Sequence, residues 1–374
     1  MRTDGVDRIL KSLTYCWRNN DEKRSPVVLS VVMPVFNVEN YIEETIGTLK
    51  GQTFSDFEVI LVDDGSTDST LTRVAHAIEG DVRFGLYSQE NSGAAQARNN
   101  AMRLARGNYI IFLDADDLFE PTMFEKMIAS LDETGAEVCV CNSVGFDSTT
   151  GEAIDSFHSL GDVEEGLHKT EDLYPRIFQI FEGTPWDKMY RLDFIRANGY
   201  EYQDLKKSND NFFTFANLLK SDKIVVLKDR FVRYRCSAGG SIQDKVSKNN
   251  ECIIAAVNKI NKLPVPLAAK DSLMTWSLAG YLRAFELTSM GSKEAARDLY
   301  DGYWSDYRCS WDLDKSSPAH MMTRVMKYRF WCVERLSFEG LYKVYSRYAE
   351  KRYKSKLGKI IDLLYMLALA ILKS

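Results

Sequence analysis

Between residues 27 and 142 the chain alternates β-branched apolar runs with amphipathic stretches, and this alternation limits its folding options more than any other feature. Leu29-Ser30-Val31-Val32-Met33-Pro34-Val35 reads as a buried strand. A helix follows it, with Asn37 or Asn40 able to cap its start and Ile42, Ile46 and Leu49 on one face. Further strands are expected at 57–62, 84–88, 109–113 and 137–142, with helices at 67–79, 93–105 and 121–134 between them. Such alternation calls for right-handed crossovers, and therefore for an α/β fold with a mostly parallel central sheet flanked by helices. The pattern lapses into expected loops over 143–170, then suggests a helix at 173–181, a turn at 186–194, a helix at 209–220 and a strand at 223–227. Beyond about residue 249 it is helical almost throughout.

Ligands in a parallel sheet bind outside the carboxyl ends of the strands. Three polar clusters end strands here: Phe36-Asn37, Asp63-Asp64 and Asp114-Ala115-Asp116-Asp117. Carboxylates this close raise one another's proton affinity unless a cation sits between them, and hard oxygen ligands suit magnesium, manganese or calcium. The same residues also read as solvated acids ahead of the helix near Pro121. Asp63-Asp64-Gly65-Ser66 can meet a base or ribose, or can be an ordinary turn that caps a helix. Arg98, in a helix start rich in small residues, can pair with phosphate, orient an acidic loop or simply be solvated. Trp186-Asp187-Lys188 mixes ring and charge as sugar sites do, or anchors a buried turn. Asp210 stands at the start of an apolar helix, where an N-cap is the plain alternative.

Composition narrows the classes. A net charge of −5 disfavours a general nucleic-acid binder. The charge is uneven: residues 321–374 hold twelve Lys and Arg against four Asp and Glu, leaving 36 basic against 49 acidic residues elsewhere. Seven cysteines with no CxxC pair, and four histidines without ligand spacing, point to a reducing cytosol and to a carboxylate as any general base. The apolar run within 360–372 is too short to cross a bilayer. Following the basic and aromatic stretch 328–353, it fits either an interfacial helix on an anionic membrane or a helical bundle packed on the rest of the chain or on a second copy.

Taken in order, VVMPVFNVENYIEETIGTLKGQT, VILVDDGSTDST, NSGAAQARNNAMRLARGNYIIFLDADD, PWDKMYRL and SNDNFFTF resemble the family 2 glycosyltransferases of the GT-A fold. The resemblance covers roughly 27–242 and implies a Rossmann-like catalytic domain over 27–245; outside it, the sequence pattern gives an N-terminal extension over 1–26, read as a short helix or a loose arm, and a helical region over 246–374. It implies inverting transfer from a nucleotide-diphosphate sugar, with a UDP-sugar the best guess, to a glycan or lipid-linked acceptor, aided by Mn2+ or Mg2+. Surface polysaccharide or teichoic-acid-like assembly is the expected setting. By position, Pro34, Phe36, Asn37, Asp63, Asp64, Arg98 and Arg235 would border the donor, and Asp114, Ala115 and Asp116 would form its DxD, with Asp116 the likelier metal ligand. Trp186, Lys188 and Asn209 would lie beside sugar and acceptor, and Asp210 would be the base. Many members carry Glu-Asp where this chain has Asn209-Asp210, so a second acid is missing. Arg233-Tyr234-Arg235 and Ser241-Ile242 resemble a closing segment near the donor phosphates. The competing classes are a haloacid-dehalogenase-type phosphotransferase and a non-catalytic carbohydrate or nucleotide binder.

Overall fold

The computed structural model describes residues 14–18, 27–154, 159–236, 249–289, 291–310, 338–340, 342–343 and 345. Two compact units emerge, Met1–Tyr174 with Gln179–Ser241, and Pro175–Phe178 with Ile242–Ser374.

Among the described residues of the first unit, one mixed sheet gathers the strands. These are β1 (Thr14–Arg18), β2 (Leu29–Val35), β3 (Phe57–Asp63), β4 (Phe84–Ser88), β5 (Tyr109–Phe112), β6 (Leu118–Phe119), β7 (Val138–Asp147), β8 (Ala153–Ile154), β9 (Gly166–Lys169), β10 (Lys188–Arg191) and β11 (Lys223–Cys236). The main path runs β1-β4-β3-β2-β5-β10-β7-β11-β6, with β8 on β7 and β9 on β11. The segment β4-β3-β2-β5 is parallel, as the strand–helix alternation requires. Its helices are α1 (Ile42–Lys50), α2 (Thr70–Ala77), α3 (Ala94–Leu104) and α4 (Met123–Thr134).

Side-chain alternation along β2 divides the core. Leu29, Val31, Met33 and Val35 join a buried cluster with Ile42, Ile46 and Leu49 of α1, Val74 of α2, and Met123, Phe124, Met127 and Leu131 of α4. Helix α3 packs on β2 and β3, and its buried Ala95, Ala97 and Ala101 allow a close approach. Phe112 of β5 meets Tyr190, Tyr202 and Phe213 edge-on, with ring centroids 6.5, 5.1 and 5.2 Å away. Such pairs add to the hydrophobic gain of burying each ring.

Several elements depart from the sequence reading. Residues 14–18 are neither helix nor loose arm but a strand, antiparallel to β4. Residues 186–194, expected as a turn, contain β10, which is wedged antiparallel between β5 and β7 and makes the sheet mixed. Strand β7 continues past 142 to Asp147 and forms a hairpin with β8. Strand β11 runs to Cys236 instead of ending at 227, with register shifts between Val226 and Arg230 and between Arg230 and Val232. Those irregularities fall at Lys228-Asp229-Arg230, whose polarity hides the strand from a periodicity argument.

The second unit is helical where described, with α5 (Glu251–Asn261), α6 (Lys270–Ser289) and α7 (Lys293–Ser310). Helix α6 packs against both α5 and α7. A Cβ on Gly280 would come 2.9 Å from Val257 Cγ2, so glycine lets α5 and α6 approach. Among the described residues no helix is long and apolar enough to cross a membrane. The basic and apolar stretches at 328–353 and 357–372, and Ser241-Ile242, lie outside the described residues save for Phe338 and its few described neighbours.

Candidate active site

Parallel pairing brings the ends of β2, β3, β4 and β5 to one edge: Val35 lies opposite Asp63, Asp63 opposite Ser88, and Val32 opposite Phe112. Just past β2, Phe36 leaves 44% of its surface in solvent. Asn37 then takes a left-handed backbone, φ 50, a conformation that asparagine tolerates better than most residues. Its Oδ1 accepts from Thr67 N at 2.9 Å, which ties the turn after β2 to the turn after β3.

The two acids after β3 do different work. Asp63 closes its own turn, accepting from Ser66 N at 3.3 Å. Asp64 is buried and accepts from Gln89 Nε2 at 2.7 Å and from Ser92 N and Gly93 N at 2.8 Å each. It thereby anchors the start of α3. Hydrogen bonds to a charged acceptor contribute roughly 1.5–3 kcal/mol each, so this carboxylate fixes α3 relative to the strand ends.

From that helix Arg98 reaches across the edge. It is buried, donates from Nη2 to Asp114 Oδ1 at 2.5 Å and from Nη1 to Asn209 Oδ1 at 3.1 Å, and lies 5.4 Å from the centre of the Tyr202 ring. The cluster after β5 and the turn carrying Asp210 are thus joined through one guanidinium. Asp116 is pushed up to about 6 by burial and then by the Asp114 charge, against the pull of Arg235 and Arg98. Asp210 is also raised to about 6: burial pushes it up, Arg98 draws it back, and Asp114 adds to the rise. A carboxyl poised near neutrality suits proton transfer.

Three residues sit elsewhere than a direct ligand would. Lys188 and Asp187 form a 2.6 Å ion pair at 0% exposure. The Lys188 ammonium also donates to the carbonyls of Glu182 and Thr184 at 2.9 and 3.0 Å, so its three donors are all engaged. It folds the 182–187 segment from beneath. Trp186 is buried and stacks on Tyr234, centroids 5.7 Å apart. Arg235 is held by its own shell: Nε donates to Asp116 O at 2.6 Å, Nη2 to Glu44 Oε2 at 2.7 Å, and its guanidinium lies 4.9 and 4.8 Å from the rings of Tyr41 and Phe146. In this structure it steadies the Asp116 peptide. Pro34 lies within β2, and Ala115 is buried between the two acids.

The sequence reading missed Asp117. It is fully buried, its Oδ1 accepts from Arg235 N at 2.8 Å, and its Oδ2 has no hydrogen-bond partner. Burial, with the charges of Asp116 and Asp114, holds its carboxyl well above the usual range. It locks the end of β11 to the acidic loop. With three acids over the four residues 114–117, nothing local singled it out.

Among the described residues no group of three or more His, Cys, Asp or Glu side chains is arranged as a ready-made metal site. Asp114 and Asp116 nevertheless fit a divalent cation in part. Their hard oxygens suit one, and a cation would favour the ionised form of Asp116, which burial and then the Asp114 charge disfavour. The remaining ligands would have to come from a bound molecule or water.

Residues 30–198 match the family model described as glycosyl transferase family 2. A curated relative, the putative glycosyltransferase EpsH of Bacillus subtilis, is 30% identical over 223 residues, 58% of this chain and 62% of its own length. The poly(ribitol-phosphate) beta-N-acetylglucosaminyltransferase TarS of Staphylococcus aureus is 29% identical over 215 residues, 56% of this chain and 36% of TarS. The chain therefore spans less than two thirds of either relative. A crystal structure of TarS 1-349 in complex with UDP-GlcNAc superposes with a TM-score of 0.62 at 20% identity, covering 88% of this chain and 92% of that one. A mannosyltransferase from Pyrobaculum calidifontis, in complex with GDP-Man and Mn2+, gives 0.50 at 15% identity, over 93% and 94% of the two chains. The structural likenesses establish the GT-A type of fold, and the sequence matches set the phosphotransferase reading aside. Residues 30–198 of this chain are a family 2 glycosyltransferase domain.

Proposed function

We propose that the chain moves a sugar, with inversion, from a nucleoside diphosphate, most simply a UDP-sugar, to a hydroxyl of a glycan or lipid-linked acceptor. The observation that carries this reading is the Arg98 bridge, which ties Asp114 and the Asn209-Asp210 turn to one edge of the sheet. The UDP-GlcNAc bound by TarS supports the choice of donor. Phe36 and the turns at Asn37 and Asp63 are the proposed border of the nucleoside, and Trp186, stacked on Tyr234, supports the site from within the fold.

Asp210 acts as the general base in this scheme. The acceptor oxygen forms a bond to the anomeric carbon while the bond from that carbon to the diphosphate oxygen breaks, and the acceptor proton passes to Asp210. The electron pair leaves with the diphosphate. Asp114 and Asp116 would hold Mn2+ or Mg2+, which when bound supplies positive charge against the leaving diphosphate. Arg98 keeps the acid pair and the base at a set separation, and such placement accounts for much of the rate in reactions of this kind.

The test is release of nucleotide from a panel of UDP- and GDP-sugars with Mn2+ or Mg2+ and a cell-surface glycan extract, followed by NMR of the anomeric centre in the product. Metal-dependent release of one nucleotide and a product of inverted configuration are expected. A chain that neither turns over nor is thermally stabilised by any nucleotide or nucleotide sugar would refute the reading.

A further inference from the structure

The turn that bears Asp210 is built with unusual care. Gln203 N donates to Asn209 O at 3.1 Å and Leu205 N to Gln203 O at 2.8 Å. Asn209 Nδ2 donates to Leu205 O at 3.2 Å. Between these bonds Ser208 sits at φ 55, a left-handed conformation that is strained for a serine and persists only where its surroundings impose it.

Helix α3 supplies those surroundings through two consecutive residues. Asn99, buried, donates from Nδ2 to Tyr202 O at 3.0 Å and accepts at Oδ1 from Tyr202 N at 2.9 Å. Arg98 takes the other end of the turn at Asn209 Oδ1. The Tyr202 ring is pinned against Phe213, centroids 4.2 Å apart and planes 15° from parallel. One end of the turn is gripped by its backbone and the other by its side chain.

We infer that Asn99 and Asn209 are positioning residues that clamp the Asp210 turn onto α3, with Asn209 serving as a neutral link to Arg98. Neither Asn99 nor Asn209 touches substrate in this scheme. Asn209 accepts from Arg98 without adding a second negative charge beside Asp210, whose charged neighbours are Arg98 and Asp114, with Tyr202 also close. Arg98 gives one N–H from each terminal nitrogen, to Asp114 and to Asn209, and so links these two groups.

The kinetic arm of the test rests on the proposed glycosyl transfer, whereas the exchange arm does not. In Asn99→Ala and Asn209→Ala, kcat should fall about tenfold or more, with the donor KM within about threefold of wild type. Asn209→Asp keeps an oxygen for Arg98 but adds a second negative charge beside Asp210 and loses the donor to Leu205 O, so it should recover only part of that loss. Glu201→Gln is the control. Glu201 joins the same turn to the same helix through Arg103 at 2.5 Å on the exposed side, where an ion pair is worth little, and kcat should not change. In hydrogen–deuterium exchange on the substrate-free protein, the amides of Tyr202 and Gln203 should exchange faster in both alanine variants but not in Glu201→Gln. Unchanged exchange at those amides, a wild-type kcat in the alanine variants, or a donor KM rising in step with the loss of kcat would overturn the clamp. If wild type neither turns over nor is stabilised by any nucleotide or nucleotide sugar, the proposed function fails, and the exchange data still decide the clamp.

Discussion

Asp210 carries two opposite pH dependences. As a base it works only when ionised, so kcat/KM should fall as pH drops through about 6. Its effect on folding has the other sign. A carboxyl raised from 3.8 to about 6 favours the protonated fold, so its stabilising contribution is complete below 3.8 and is lost as pH rises through about 6. Asp210→Asn should therefore abolish turnover while its Tm, relative to wild type, improves with rising pH over that interval. A wild-type rate in the variant would remove Asp210 from the mechanism. Lys188 makes a different kind of prediction. Removing its ammonium leaves Asp187 as an uncompensated buried charge, so Lys188→Met should cost roughly 3–5 kcal/mol of stability in denaturant unfolding. Activity lost without loss of stability would instead mean that the ammonium reaches substrate.

At the scale of elements, the turn that leads into β5 is packed tightly against β2. A Cβ on Gly107 would lie 2.7 Å from Ser30 N and 2.8 Å from Tyr109 O. Both are backbone atoms that cannot yield without moving β2 and β5. Gly107→Ala should accordingly destabilise by about 1–3 kcal/mol, read from the denaturation midpoint. Strands β2, β3 and β5 of the parallel core were legible in the sequence because they are buried on both faces and so read as nearly continuous apolar runs. β10 was not, since Lys188 and Arg191 place charges in a four-residue strand whose pairing partners are distant in the chain. The same division holds at the site. Asp64, Asp114 and Asp210 stand at element ends and drew attention there, whereas Asn99 lies inside a helix, where nothing local reveals that its amide grips the Tyr202 backbone.

On the scale of the whole molecule, the acidic edge should respond to ions as a unit. Mn2+ with UDP should raise Tm in wild type, and the gain should largely vanish in Asp116→Asn, as read by differential scanning fluorimetry. Equal gains in the two proteins would place the cation elsewhere. The far side of the sheet has its own consequence. Strand β1 hydrogen-bonds along the outer flank of β4 from Thr14↔Ser88 to Arg18↔Gly85, so a shortened protein beginning at residue 27 would bare a row of unpaired amides and carbonyls. That row is a template for another chain's strand, so the trimmed protein should self-associate on concentration, even though the trimming removes no residue assigned to chemistry.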